Sequence, residues 1–161
     1  MTIPQEIEVP SQRTSPRVGL VRYLAGARPA VVITAALLYA CLLPLVALDL
    51  CISVYQAVCF PIYKIPKVAR GDFFIFDRGT LPYLNVLERL HCVYCSYANG
   101  LLCYVREIAG RTEQHWCPIK HGRDPEVIHS RYERFLPYAD PSAFHRGSDE
   151  TRQDFDDLRD K

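Results

Sequence analysis

The sequence predicts a mainly α protein: one N-terminal transmembrane (or re-entrant) helix followed by a small helical domain rich in Cys and His. Three observations carry this expectation. Residues 29–48 read PAVVITAALLYACLLPLVAL, twenty positions without a charge. At about 1.5 Å per residue they form a helix roughly 30 Å long, the thickness of a bilayer core. From Leu84 to Ile108, apolar residues return every three or four positions, the period of an α-helix face. Residues 91–121, HCVYCSYANGLLCYVREIAGRTEQHWCPIKH, then concentrate thiols and imidazoles in a pattern suited to a metal or redox site.

Residues 1–28 form the expected N-terminal tail, polar and flexible at its start. That tail is long for the basic region of a signal peptide, and the apolar block exceeds a typical signal core, so a retained anchor is expected. Apolar character continues past Asp49 to Tyr63, which extends the anchor with an interfacial segment over residues 29–63. Arg13, Arg17, Arg22 and Arg28 precede the block, and Lys64, Lys67, Arg70 and Arg78 follow it. The positive-inside comparison therefore ties. A re-entrant hairpin explains the tie, whereas a single span explains the uninterrupted block and is preferred. Asp49, near the interface, can reach water and so does not by itself point to a transport function.

Residues 64–79 read as a juxtamembrane linker, stiffened by Pro66, with 71–78 as a short strand or an interfacial turn. The helical domain is placed at residues 80–146. Thr80 is its expected N-cap, with Pro82 in the first turn. Leu84, Leu87, Leu90, Tyr94, Ala98, Leu101, Val105 and Ile108 form the apolar stripe. The stripe keeps phase through Asn99-Gly100, so either one long helix has a weak point at Gly100 or two helices meet there. Glu88, Cys92, Cys95, Asn99, Cys103 and Arg106 fall on the face away from the stripe. Asp124-Pro125-Glu126 reads as a further helix start, and Asp140-Pro141 as a short one. Residues 147–161 form an acidic tail expected to fray.

Near-neutral net charge argues against nucleic-acid binding. The charge is uneven. Residues 64–122 carry eight Lys/Arg against five Asp/Glu, while residues 123–161 carry seven against ten. A basic stretch after a membrane segment suits a cytoplasmic juxtamembrane region beside anionic lipid. Membrane lipid and another membrane-associated protein are the expected partners.

Cys41, Cys51 and Cys59 lie in or beside the apolar stretch and read as small hydrophobes. Cys92-x2-Cys95 with Cys117-x3-His121 is the candidate metal set. Thiolates hold zinc at about 2.3 Å and imidazole at about 2.0 Å, four to a tetrahedron. Structural zinc is the expected cofactor, and iron or an iron–sulfur cluster on the same residues is the alternative. Cys103 is a poorer ligand, about 12 Å along a continuous helix from Cys95; His91 and His115 are substitutes for His121. A Cys92/Cys95 dithiol is the competing redox reading, although no βαβ pattern surrounds it. Glu88-x-x-His91 and Glu126-x-x-His129 match the paired motif of di-iron bundles, a minor reading given how common these residues are. Nothing identifies a nucleophile with its base, and no phosphate loop is present.

The run LNVLERLHCVYCSYANG…YVREIAGRTEQHWCPIKH, with YQAVCFPIYKIPKV upstream, resembles a family of uncharacterised bacterial membrane proteins with a CVYC…HWCPIKH motif, over roughly residues 50–122. The resemblance implies a bacterial inner membrane and no particular mechanism. A closed four-ligand site would leave no open position for a substrate, so the expected function is a membrane-anchored metal-binding interaction or assembly module.

Overall fold

A computed structural model of the chain describes residues 29–159; the expected tail at 1–28 lies outside them. The described backbone forms five α-helices: α1 Pro29–Ala40, α2 Leu42–Tyr63, α3 Val86–Trp116, α4 Pro141–Gln153 and α5 Asp156–Arg159. Short 3-10 turns lie at Arg70–Asp72, Asp77–Thr80 and Tyr132–Arg134. No strand occurs among the described residues, only an isolated bridge between Ile119 and Leu136. The mainly α expectation holds, including one helical stretch, Ile33–Tyr63, long and apolar enough to cross a membrane.

α1 and α2 are one rod with a one-residue interruption. Pro44 has no N–H to offer the carbonyl four residues back, and the ladder breaks at Cys41. The rod ends at Lys64, whose φ of 58° is left-handed. There the Ile65 N–H donates to the Phe60 carbonyl at 2.9 Å, and both side chains are buried, as in a helix stop closed by an apolar contact.

The long helix starts later than Thr80. That hydroxyl instead donates to the Asp77 carbonyl and closes a 3-10 turn. Asn85 is the N-cap: its side chain accepts from the Glu88 N–H at 2.9 Å, and Glu88 accepts from the Asn85 N–H at 2.8 Å. This reciprocal box satisfies two donors that the helix start would otherwise orphan. α3 then runs unbroken for 31 residues through Asn99-Gly100. Gly100 is a contact point, with no break in the helix. A Cβ there would lie 2.6 Å from the Phe73 carbonyl oxygen, so only glycine lets the returning chain lie this close. Residues 71–78 accordingly form turns and no strand, within a strap that runs over residues 64–85.

Residues 64–85 carry the chain back along the rod, so α2 and α3 run parallel. Contacts climb both helices in step. Tyr39 stacks on His91 with ring centroids 5.7 Å apart, Tyr97 reaches Asp49, Tyr104 reaches Gln56, and Tyr63 stacks on His115 at 4.9 Å. Phe60, Ile65, Val68, Leu101, Tyr104, Ile108 and Phe155 form the core between these layers.

The C-terminal segment covers the opposite side of α3. The expected helix after Asp124-Pro125 does not form; the stretch runs in bends held by α3 side chains. Arg106 donates to the Ile128 carbonyl, and His129 lies against Gly110, where a Cβ would come 2.7 Å from its Nδ1. Asp140-Pro141 does start a helix: the Asp140 carboxylate accepts from the Ala143 N–H at 2.9 Å. The acidic tail, expected to fray from Gly147, is instead locked over its described part. Gln114, fully buried, donates to the Thr151 and Asp154 carbonyls at 2.8 and 2.7 Å. Arg131, also buried, donates to Gln114 Oε1, the Asp154 carbonyl and both Asp157 carboxylate oxygens. Phe155, fully buried, joins the core beneath them.

Candidate functional site

Continuity of α3 decides which predicted ligands meet. Cys92 and Cys95 are three residues apart on one helix and share its outer side, Cys92 half-buried and Cys95 exposed. Cys103 is exposed two turns further on. With Asn99 and Arg106, both exposed, these residues occupy the face turned away from the core, as their spacing predicts. Cys95, Ser96, Asn99 and Cys103 line a shallow recess of about 220 Å³, walled on its other side by Phe73, Ile75 and Arg78 of the strap.

Cys117 and His121 do not join them. Cys117 follows the last residue of α3, about 33 Å along the axis from Cys95. Tetrahedral zinc needs its donor atoms within about 4 Å of one another. Cys117 is exposed, its N–H bound to the Glu113 carbonyl at 2.7 Å. His121 is exposed and lies against the Tyr132 ring, while its N–H donates to the Tyr132 hydroxyl at 2.9 Å. Among the described residues, no three His, Cys, Asp or Glu side chains gather to hold an ion. Cys92, Cys95, Cys117 and His121 of one chain therefore do not fit a single closed zinc site.

The other imidazoles have separate duties. His91 stacks on Tyr39, and His115 stacks on Tyr63 at one edge of Trp116. His129 pairs with Glu113 at 3.1 Å. Glu88 serves the N-cap of α3, and Glu126 is exposed in the loop that follows it. The two Glu-x-x-His pairs thus sit at opposite ends of α3, which removes the di-iron arrangement.

A polar seam between α2, the strap and α3 was not foreseen. Asp49 does not reach for water. It accepts a two-pronged bond from Arg70 at 2.5 and 2.6 Å, with Tyr97 at 2.9 Å and Ser53 at 3.3 Å. Gln56, buried two turns further, donates to the Tyr104 hydroxyl at 2.8 Å and accepts from the Val68 N–H at 2.8 Å. Tyr55 donates to Thr112 at 3.1 Å. Asp49, Ser53 and Gln56 recur at steps of four and three, one face of a helix, and that spacing was the available signal.

Facing away from this seam, Leu43, Leu50, Val54, Val58 and Ile62 are all exposed on α2, and no charged residue shares their side. The helix is inverted relative to that of a water-soluble domain: its polar groups point inward and its apolar groups outward.

A polar recess of about 550 Å³ lies between the strap, α3 and the C-terminal segment. Four of its six charged residues bind one another, while Lys67 and Asp72 also line it. Glu107 holds Arg111 at 2.9 Å and Ser130 at 2.6 Å, and Arg131 holds Asp157 at 2.8 Å. The Glu107–Ser130 bond ties α3 to the C-terminal segment, and the exposed thiol face and the outward face of α2 are separate surfaces.

No family model matches the chain, and comparison with curated proteins and with solved structures gives no match either.

Proposed function

We propose that the chain is a membrane-attached interaction module that displays the Cys92/Cys95 pair to a partner, with the two thiolates forming half of a shared zinc site. The observation that supports it is the position of the pair: two thiols one turn apart on the outer face of a continuous helix, with the remaining predicted ligands tens of ångströms away. Zinc favours four Cys or His donors. A chain that offers two in reach needs two more from a second molecule, either another membrane-associated protein or another copy. Zinc would then hold two proteins together rather than fold one.

Attachment to a membrane is supported by the apolar rod Ile33–Tyr63. The bacterial inner membrane is what the sequence resemblance implies. All seven cysteines are unpaired, which suits a reducing, cytoplasmic side.

The test is elemental analysis of detergent-purified full-length protein, with a thiol count and a mass measurement on the same sample. The expected result is zinc that disappears in Cys92→Ser and in Cys95→Ser, persists in Cys117→Ser, and accompanies an assembly larger than the monomer. Zinc retained by Cys92→Ser but lost in Cys117→Ser would overturn the assignment. So would a metal-free protein with all seven thiols titrating, and two thiols missing from the count would replace zinc with a disulfide.

A further inference from the structure

We propose that the bilayer lies along the outward face of α1 and α2, with the rod resting in the plane of the membrane surface instead of crossing it end to end. The inference rests on the membrane attachment proposed above and specifies its geometry.

The first reason is the face itself. Leu43, Leu50, Val54, Val58 and Ile62 are exposed at helical spacing over about 28 Å, and Ile33 and Leu37 of α1 extend the exposed apolar surface. Contiguous apolar surface of this extent is rare on a soluble monomer and marks a contact with lipid or another apolar body.

The second reason is the company α2 keeps. α3 lies beside the rod from the level of Tyr39 to the level of Tyr63, so lipid cannot encircle α2 at any height. α3 carries Glu88 and Arg89 at one end and Arg106, Glu107, Arg111 and Glu113 at the other. An upright rod places one set or the other at hydrocarbon depth, where each charge costs roughly 2.5–3.5 kcal/mol. A rod lying flat places all of them on the side of α2 away from lipid.

The third reason is the opposite surface. The C-terminal segment covers α3 on the side away from α2, and its charges Asp149, Glu150 and Asp156 are exposed. That side belongs in water. At the end of α2, Lys64 and Lys67 are exposed, and the exposed Trp116 stands edge-on to Tyr63 at 5.3 Å. Lysines with amphipathic rings fit the headgroup layer of an anionic lipid surface.

Trp116 is the only tryptophan, which makes depth measurable. Trp116→Phe supplies the background, and Leu43→Trp, Leu50→Trp, Val54→Trp and Ile62→Trp are each added to it. All four positions are exposed, so no core packing is removed. The full chain is reconstituted in phosphatidylcholine/phosphatidylglycerol vesicles containing lipids brominated at known depths. A helix in the plane predicts that all four tryptophans quench at one shallow depth, within about 5–10 Å of the headgroup boundary. An upright rod spreads the same positions over about 28 Å, so that the four quench at different depths, which overturns the inference while leaving membrane attachment intact. Failure of the unsubstituted chain to float with vesicles overturns attachment itself. A water-soluble dimer with all four tryptophans unquenched assigns the face to a second copy.

Discussion

Replacing Gly100 by Ala is the sharpest probe of how the strap sits on α3. By helix propensity alone the change stabilises α3 by about 1 kcal/mol. The structure predicts the opposite sign. The new Cβ meets the Phe73 carbonyl oxygen at 2.6 Å, its carbon at 3.3 Å and the Phe74 Cα at 3.4 Å, all of them backbone atoms. To restore ordinary contact, the strap has to withdraw by about 0.8 Å, a shift of the kind that overpacked cores accommodate poorly. Withdrawal is resisted on several sides. Phe73 and Phe74 both pack edge-on to Tyr104 at 6.0 Å, and Arg70 lies over the Phe74 ring at 4.2 Å while holding Asp49. Overpacking costs about 1–3 kcal/mol, and the upper half applies where the obstacle is backbone. Subtracting the propensity gain leaves a net loss of about 1–2 kcal/mol, a fall of roughly 3–6 °C in Tm for a chain of this size. Thermal unfolding followed by circular dichroism in detergent measures it. Gly71→Ala is the control, since nothing lies within 4 Å of its added Cβ. A Gly100→Ala protein that melts at or above the parent temperature refutes the placement of the strap, because the propensity gain would then be unopposed.

Three further outcomes follow from the same packing. Phe155→Ala removes a fully buried ring from the core, costs about 3–5 kcal/mol, and is expected to release residues 151–159 to limited proteolysis while α3 stays helical. Burial by itself would raise the Asp157 carboxyl, but the Arg131 hydrogen bonds and charge, with the Arg134 charge, outweigh it and hold the group below its ordinary value. A depressed folded value means that the stabilisation is complete above the ordinary carboxylate range near 3.9 and is lost as pH falls through the folded value. The C-terminal lock is therefore expected to loosen in acid below about pH 4, read as protease sensitivity of the tail, and Asp157→Asn is expected to remove that acid dependence. Thiol labelling is expected to reach the exposed Cys95, Cys103 and Cys117 before the half-buried Cys92 and Cys59. In vesicles, Cys51 on the apolar rod becomes protected while Cys95 and Cys103 stay reactive; equal protection of all three would contradict the assignment of the lipid face.

Much of α3 was legible because its pattern is local. Apolar residues at steps of three and four keep one phase from Leu84 to Ile108, and that phase correctly turned Cys95, Asn99, Cys103 and Arg106 outward. What the pattern lacked was depth. Leu90 and Tyr94 belong to the same stripe as Leu101 and Ile108, yet Leu90 is exposed and Tyr94 half-buried, because the core lies beside the second half of the helix. The start of α3 was misread because Thr80 and Pro82 imitate a helix entry that the Asn85–Glu88 box supplies three residues after Pro82. The tail was misread through its composition. One phenylalanine among acids looks like a disordered end, and only tertiary structure supplies Gln114 and Arg131 to bind its carbonyls. For the metal set, C-x2-C and C-x3-H each have ligand spacing, but the 21 residues between Cys95 and Cys117 can close a site only if the helix breaks. The glycine that looked like the break is what seals the helix to the strap.

The rod poses the same question in reverse. Twenty uncharged residues describe how apolar a segment is and leave open which of its sides meets lipid. Asp49, Ser53 and Gln56 contribute little to an averaged hydropathy across α2, yet they share one helix face, and each finds its partner on the strap, on α3 or within α2 itself. Buried polar groups of this kind are stable only where those partners stay in place, since an unsatisfied carboxylate or amide costs about 1–3 kcal/mol or more. The strap that supplies Arg70 and the Val68 backbone is therefore part of what holds the inward face of the rod. A rod that depends on a second helix and a strap along one side offers lipid the other side only, and this one-sidedness, more than its length, sets how it can meet a membrane.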